Sequence, residues 1–544
     1  MRPMRRIAWL LLAAGSLLAA CSKRETVQPP PATATVTQTA DPGPRIGGQL
    51  NRRLEADINT LNYVLQTTED ERQVLQYVYD PLIDFNAELE PIAGTAARWE
   101  VLDGGKTYVL HLDPRAVFSD GKPVTAVDVI FTLEKILDEE SVQFGAWFAG
   151  LDREQTKAVD DRTVRVVFKE PRVSQLMAFN IGVLPQHVYG KGKFKTITAV
   201  VGNGPYVVQR RERGKSVLLA RNEKYWRDKP PIDTVLFRVI ADDTQALNAL
   251  KRGELHVVRL NNDVWAREKD DPKIAQRITF YDSYQFMYNC VPWNLRDPLF
   301  AEAQVRRALA MAFDRDSVIT RLYHGNARAT SGPFTPDIWA YNPNVNPIEF
   351  NLEGAAALLG SAGWRDTDQD GILDRDGKKF AFTMLIAAGS STSIAQSQIY
   401  QDALKKIGID MTISNVDGAA FFDRIVKGEF QAALMAWTND PDPDLFSLFH
   451  SSQAPPAGLN INHYKNAEVD QLLERGRKEF DRARRTAIYH QMHEIIAADQ
   501  PYLFMVQVGL KWAVDKRVQN VRTAKGVGLF LWNPGPFGWW MTEP

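Results

Sequence analysis

Two periodicities alternate along this chain, and together they restrict its fold more than any single motif does. Strand-like runs such as "TYVLHL" (Thr107 to Leu112), "TVRVVF" (Thr163 to Phe168) and "DTVLFRVI" (Asp233 to Ile240) are rich in β-branched and aromatic residues. Between them lie "TAVDVIFTLEKILD", "TQALNALKRGE" and "QVRRALAMAFDRDSVITRLY", whose apolar residues recur at three and four and predict helices. Strands mixed with helices over 544 residues predict an α/β assembly with sizeable sheets, divided into two or three globular units.

The N-terminus sets the compartment in which that assembly folds. Arg2, Arg5 and Arg6 precede "IAWLLLAAGSLLAA", an apolar run with the length and basic flank of a signal peptide, and residues 1–20 are expected to be removed. The small residues Ala19 and Ala20 are followed by Cys21, one of only two cysteines. The other, Cys290, then has no partner and is expected to be a buried or free thiol, so no disulfide framework supports the fold. Residues 21–45 are rich in Pro and Thr and nearly free of large apolar side chains, which predicts an extended tether reaching on the order of 70 Å. Lysine and arginine total 65 against 66 acids, leaving no basic excess to hold phosphates, and this argues against nucleic acid as a partner.

Motifs for covalent chemistry fail on inspection. "GGKT" at Gly104 to Thr107 resembles the end of a phosphate loop, but the glycine required five residues before Gly105 is Glu100, so a hairpin turn is expected there. "HQMHE" at His490 to Glu494 puts two histidines three apart on a predicted helix, in neither zinc-protease order and with no third ligand nearby. No GxSxG elbow occurs. The residues specify no enzyme and no cofactor.

"DTDQDGILDRDG" (Asp366 to Gly377) mimics a calcium loop. Asp366, Asp368 and Asp370 fall at positions one, three and five, a glycine at six and Asp374 at nine. Position twelve is Gly377, where a bidentate glutamate belongs. The alternative is an acidic, turn-rich connection into the strand "FAFTMLIAA". No metal is assigned, and these four aspartates are the calcium candidates.

Several spaced segments resemble the large periplasmic solute-binding proteins of peptide transporters, family 5. They are "GGQL", "DINTLNYVLQTTEDERQVLQYVYDPLIDFNAELEPIAGTAARWEVLDGGKTYVLHL", "FSDGKPVTAVDVIFTLEKI", "VGNGPYVV", "LLARNEKYWRDKPPIDTVLFRVIAD", "QALNALKRGELHVV", "QVRRALAMAFDRDSVI", "LLGSAGWRDTDQDGILDRDGKKFAFTML" and "NAEVDQLLERGRKE". The resemblance runs from Arg45 to about Arg522. "LLAAC" likewise resembles the lipobox of bacterial lipoproteins, which implies lipidation at Cys21. The family resemblance implies a two-lobed periplasmic-binding-protein fold (type II, cluster C) with a hinge and an extra domain. Lobe I is expected to combine 46–85, 203–284 and 506–544, with 86–202 as the extra domain and 285–505 as lobe II.

It also implies a site. In peptide binders of this type, an aspartate after a tryptophan pairs with the peptide α-ammonium, and "WTNDPDPDLF" places Trp437, Asn439 and Asp440 there. Thr67, Thr68 and Glu69 fall where the first lobe would offer an edge strand to the peptide. Leu434 stands where some oligopeptide binders carry an arginine for the peptide carboxylate. The bland reading of Asp442 and Asp444 is that they cap the helix "LFSLFHSS". The resulting expectation is a monomeric, lipid-anchored protein of the periplasm or cell envelope, with the outer membrane one possible anchor site. It would bind di- or oligopeptides between its lobes and pass them to ABC transporter permease subunits. The alternatives are another solute on the same fold, such as an oligosaccharide, nickel chelate or haem, and an exported sensor or chaperone-like binder without a permease.

Overall fold

In the computed structural model, the strand Gln49–Leu54 lies within an eight-stranded mixed sheet. Across the sheet the order is Ile278–Tyr284, Val506–Asp515, Val257–Leu260, Gln49–Leu54, Thr234–Val239, Ser216–Arg221 and Tyr206–Glu212. Ala327–Ala329 also pairs with Val506–Asp515. Gln49–Leu54 and Thr234–Val239 run parallel from Gln49↔Thr234 to Leu54↔Val239, burying Leu50, Leu54, Val235 and Phe237 in one core. The structure describes residues 43–542 except 140, 142, 192–193 and 196–198. The expected signal peptide, Cys21 and most of the tether lie outside the described residues. Among those described, no helix is long and apolar enough to cross a membrane.

A four-stranded antiparallel sheet, ordered Ala96–Leu102, Thr107–Leu112, Thr163–Val167, Lys157–Asp160, shares that core through Tyr108, Leu110, Val164 and Val166. Helix Ala126–Asp138 turns Val129, Leu133 and Ile136 toward the same core. The "GGKT" segment is the turn between the first two of these strands, with Asp103, Gly104 and Gly105 all at positive φ. This backbone suits the glycines and leaves no phosphate cradle.

A second group of elements follows residue 285. Met287–Pro292 pairs with Met435–Thr438 on one side and Tyr502–Phe504 on the other. Nearby, Ala381–Ala387 runs parallel to Asp410–Val416 and to Ala432–Ala433. The chain crosses from the large sheet to this group between Tyr284 and Met287 and returns between Phe504 and Val506. The Met505 N–H donates to the Asn289 carbonyl (3.0 Å), and the Gln507 amide donates to the Gln285 carbonyl (2.8 Å), so the two crossings lie side by side.

The single helix expected over 304–323 is broken. It folds as Ala303–Met311, a short turn Arg315–Ser317 and a π-helical turn Val318–Leu322. Asp314 restarts the helix by accepting from the Ser317 N–H. Arg315 turns inward to donate to the Phe504 and Ile348 carbonyls. Cys290 is a buried thiol whose pKa burial pushes up.

Candidate ligand-binding site

The segment Asn439 to Asp444 alternates acids with prolines. Each proline removes a backbone donor and fixes φ, so the run cannot continue the preceding strand. Its carbonyls are held instead by side chains. The Trp339 indole N–H donates to the Pro441 carbonyl (3.1 Å) and the Tyr489 hydroxyl to the Pro443 carbonyl (2.9 Å). Trp339 stacks on Tyr489 with ring centroids 5.2 Å apart, and the Arg482 and Arg485 guanidiniums lie over its face at 3.8 and 4.7 Å. Helix Arg482–Asp499 presents Arg482, Arg485 and Tyr489 on one face through spacings of three and four, and so forms a platform for the run.

On this platform the three aspartates have different surroundings. Asp442 pairs with buried Arg485 at 2.7 Å and with Arg482 at 3.6 Å. It does not cap the following helix, as one reading of the sequence had it, because its carboxylate is engaged by these two cations. Asp444 does accept from the Phe446 N–H (3.0 Å) at the start of Phe446–Phe449, and it also pairs with Arg477 (3.0 Å) and Arg172 (3.5 Å). No ion pair or hydrogen bond engages the Asp440 carboxylate among the described residues. Water reaches Asp440, yet dense protein around it raises its pKa to about 6, mainly by desolvation and then by repulsion from Asp444 and Asp442, with Arg172 opposing. Accessibility and crowding conflict on a convex surface but agree in a recess. Asp440 is thus an exposed carboxylate in densely packed surroundings.

The strand before it adds a second feature. The Asn439 N–H donates to the Phe286 carbonyl (2.6 Å), which fixes the alternation of the antiparallel pair. Met435 and Trp437 exchange their main-chain bonds with Cys290 and Tyr288. Ala436 and Thr438 direct theirs to the other side, where no strand follows among the described residues. Their side chains are exposed, so this edge is open beside Asp440.

The other expected site residues fall differently. Trp437 is half-buried between two apolar clusters and packs with Tyr288-side and Phe421-side residues, so its indole belongs mainly to the core. Asn439 is buried, and its amide donates to the Pro333 carbonyl (3.0 Å), which turns it away from solvent. Thr67, Thr68 and Glu69 do not form an edge strand. Thr68 caps helix Glu69–Leu75 in a capping box with Glu71, whose carboxylate takes the amides of both Thr67 (2.7 Å) and Thr68 (3.1 Å). Leu434 is buried in the core.

In the acidic loop, Asp366, Asp368 and Asp374 bring oxygens within 4.8 Å of one another. The Lys379 ammonium, however, lies 2.5 Å from Asp368 and 2.8 Å from Asp370. Asp374 is spent on the Thr367 amide and hydroxyl. A lysine thus supplies the positive charge that a cation would. His493 is buried, contacts the Ser331 hydroxyl and accepts from the Asn342 N–H; burial lowers its pKa to about 3, and it is a packed helix-face residue. A cavity of about 300 Å3 at Asp297, Trp364, Arg375 and Lys378 is lined by no residue of the Asp440–Asp444 run.

Sequence reading missed Arg172 and the open edge at Ala436 and Thr438. The alternation of "MAWT" carried the second signal, with Met435 and Trp437 large and apolar and Ala436 and Thr438, which alternate with them, small. No local pattern marks Arg172, which reaches Asp444 across 272 residues of chain.

The fold is that of a two-lobed periplasmic binding protein, and comparison places the chain within a family. The family of bacterial extracellular solute-binding proteins, family 5 (middle region), matches residues 90–456, and the chain belongs to it. It is 28% identical over 491 residues to the oligopeptide-binding protein AppA of Bacillus subtilis, covering 88% of this chain and 90% of AppA. It is 30% identical to protein XP55 of Streptomyces lividans, covering 82% and 81%. The structure of Bacillus subtilis AppA in complex with a nonapeptide superposes with a TM-score of 0.75 at 26% identity, over 92% of this chain and all of that one. The structure of NikA from Brucella suis in complex with Fe(III)-EDTA shares the fold with a TM-score of 0.79 at 21% identity, over 90% of this chain and 99% of that one.

Proposed function

We propose that this chain captures peptides with a free amino end between its lobes and delivers them to the permease of an ABC transporter. The observation that carries the reading is Asp440, an exposed carboxylate that protein crowds as on the wall of a recess and that no ion pair or hydrogen bond engages among the described residues. A peptide α-ammonium supplies the missing charge, and a desolvated ion pair of this kind needs a fixed counter-group. The open edge at Ala436 and Thr438 offers main-chain groups for an extended peptide, a contact that tolerates any side-chain sequence. AppA, described as an oligopeptide-binding protein, supports the same ligand class.

Lobe I would comprise 46–85, 203–284 and 506–544, lobe II 285–505, and the extra domain 86–202. The paired crossings at 284–287 and 504–506 support this division. Ligand touching both lobes would shift the equilibrium toward the closed form, which the permease would recognise. Signal cleavage and lipidation of Cys21 would hold the monomeric protein at a membrane of the cell envelope by its tether. The test is Asp440→Ala. It should weaken binding of free-amine peptides and spare their N-acetylated forms, whereas equal losses for both would refute the assignment.

A further inference from the structure

Arg172 follows the strand Thr163–Val167 of the four-stranded sheet, far in sequence from the acidic run, yet it meets that run directly. Three contacts fix it. Its Nε lies 3.5 Å from Asp444 Oδ2, its carbonyl accepts from the Tyr108 hydroxyl (3.2 Å), and the next residue's N–H, on Val173, donates to the Arg477 carbonyl (2.9 Å). The sheet thus grips Arg172 from one side and the acidic segment's neighbour grips Val173 from the other. Alongside, the Phe480 ring sits where a side chain on Gly105 would have to be, closing the same junction at the hairpin turn.

The charges around Asp440 then separate by role. Arg485 and Arg482, from helix Arg482–Asp499, are committed to Asp442. Arg477, after helix Ala467–Gly476, is committed to Asp444. Asp442 and Asp444 repel Asp440 from its own run, and the Tyr108 and Tyr489 hydroxyls each serve a carbonyl. Arg172 reaches the run from the four-stranded sheet, 3.5 Å from Asp444, and its charge opposes the rise in the Asp440 pKa. Burial weakens its hold on its own proton, and Asp444 offsets only part of this. A half-buried guanidinium lying among carboxylates is poised to hold them anionic without occupying the place of a ligand ammonium.

We propose that Arg172 is a positioning residue of the peptide site: reaching across from the four-stranded sheet, it clasps the Asp440–Asp444 run through Asp444 and sets its positive charge beside the carboxylate that receives the incoming α-ammonium. This rests on the reading of Asp440 as the ammonium's partner. Arg172 itself would touch Asp444 and not the peptide, so its loss acts through Asp440.

The experiment uses the full soluble chain with aspartate labelled at the carboxyl carbon, its Asp440 signal assigned with Asp440→Asn. Arg172→Gln should move the Asp440 titration midpoint upward by about one pH unit. It should also weaken a free-amine tripeptide about fivefold at pH 6, with little loss at pH 8. Arg172→Lys, which keeps the charge, should return the midpoint most of the way. Matching melting temperatures establish that the variants are folded. An unmoved midpoint in Arg172→Gln, or a shift that Arg172→Lys fails to reverse, overturns the role of Arg172. A shifted midpoint, with Asp440→Asn still preferring the free-amine tripeptide over its N-acetylated form as strongly as wild type does, overturns instead the ammonium reading on which that role depends.

Discussion

Peptide binding should weaken in acid with a midpoint set by one carboxyl group. Desolvation and the neighbouring Asp444 and Asp442 hold the Asp440 pKa at about 6, above the ordinary aspartate value of 3.8. An ammonium bound beside it favours the anion and so lowers that pKa in the complex. The sign follows: the free protein takes up a proton below pH 6, the complex does not, and binding must then expel it. Affinity should be level above about pH 7 and fall about tenfold for each pH unit below 6, which is about 1.4 kcal/mol per unit. The fall should end where the pKa of the complex is reached. Asp440→Asn should bind free-amine tripeptides about 30-fold to 100-fold more weakly at pH 7.5, as expected when one partner of a hydrogen-bonded charge pair is removed in an accessible recess. The variant should also lose the acid dependence. Titration calorimetry from pH 4.5 to 8 in buffers of differing ionisation heat measures both affinity and proton release. A flat wild-type profile, or an Asp440→Asn profile with the same slope, would refute the reasoning.

Three further outcomes follow from other charged groups of the fold. Asp442→Ala should cost about 3 kcal/mol in denaturant unfolding, because buried Arg485 keeps its charge and loses its 2.7 Å partner; a cost below about 1 kcal/mol would show that Trp339 alone shelters the guanidinium. Lys379→Met should make the melting temperature respond to millimolar calcium while wild type stays unmoved, since Lys379 now neutralises Asp368 and Asp370; a calcium response in wild type would contradict this. Burial raises the Asp80 pKa to about 7, so the unfolded chain holds fewer protons there and stability falls as pH rises from 3.8 through 7. Asp80→Asn should therefore show a shallower loss of melting temperature between pH 5 and 8 than wild type, and parallel curves would exclude Asp80 as the source.

Local patterns were legible where local physics decides. "TYVLHL" folds as the strand Thr107–Leu112, and "TAVDVIFTLEKILD" gives helix Ala126–Asp138. The helix over 304–323 was overextended because its apolar period runs through Asp314, whose capping oxygen restarts the helix. The Thr67 to Glu69 segment carried its own warning, since Thr68 followed three residues later by Glu71 is the pattern of a capping box. What the sequence could not show is which aspartate keeps a free carboxylate. Asp440, Asp442 and Asp444 are equivalent as text. They differ only because Arg485, Arg477 and Arg172 arrive from 33 or more residues away to engage two of them.

The central claim is that the recess at Asp440 holds peptide. Native mass spectrometry on protein beginning at Ser22, purified without denaturation, tests it most directly when the bound material is released and sequenced by fragmentation. The account predicts a ladder of co-purified peptides with free amino ends, lost from Asp440→Asn. A single non-peptide mass retained equally by both proteins would contradict it.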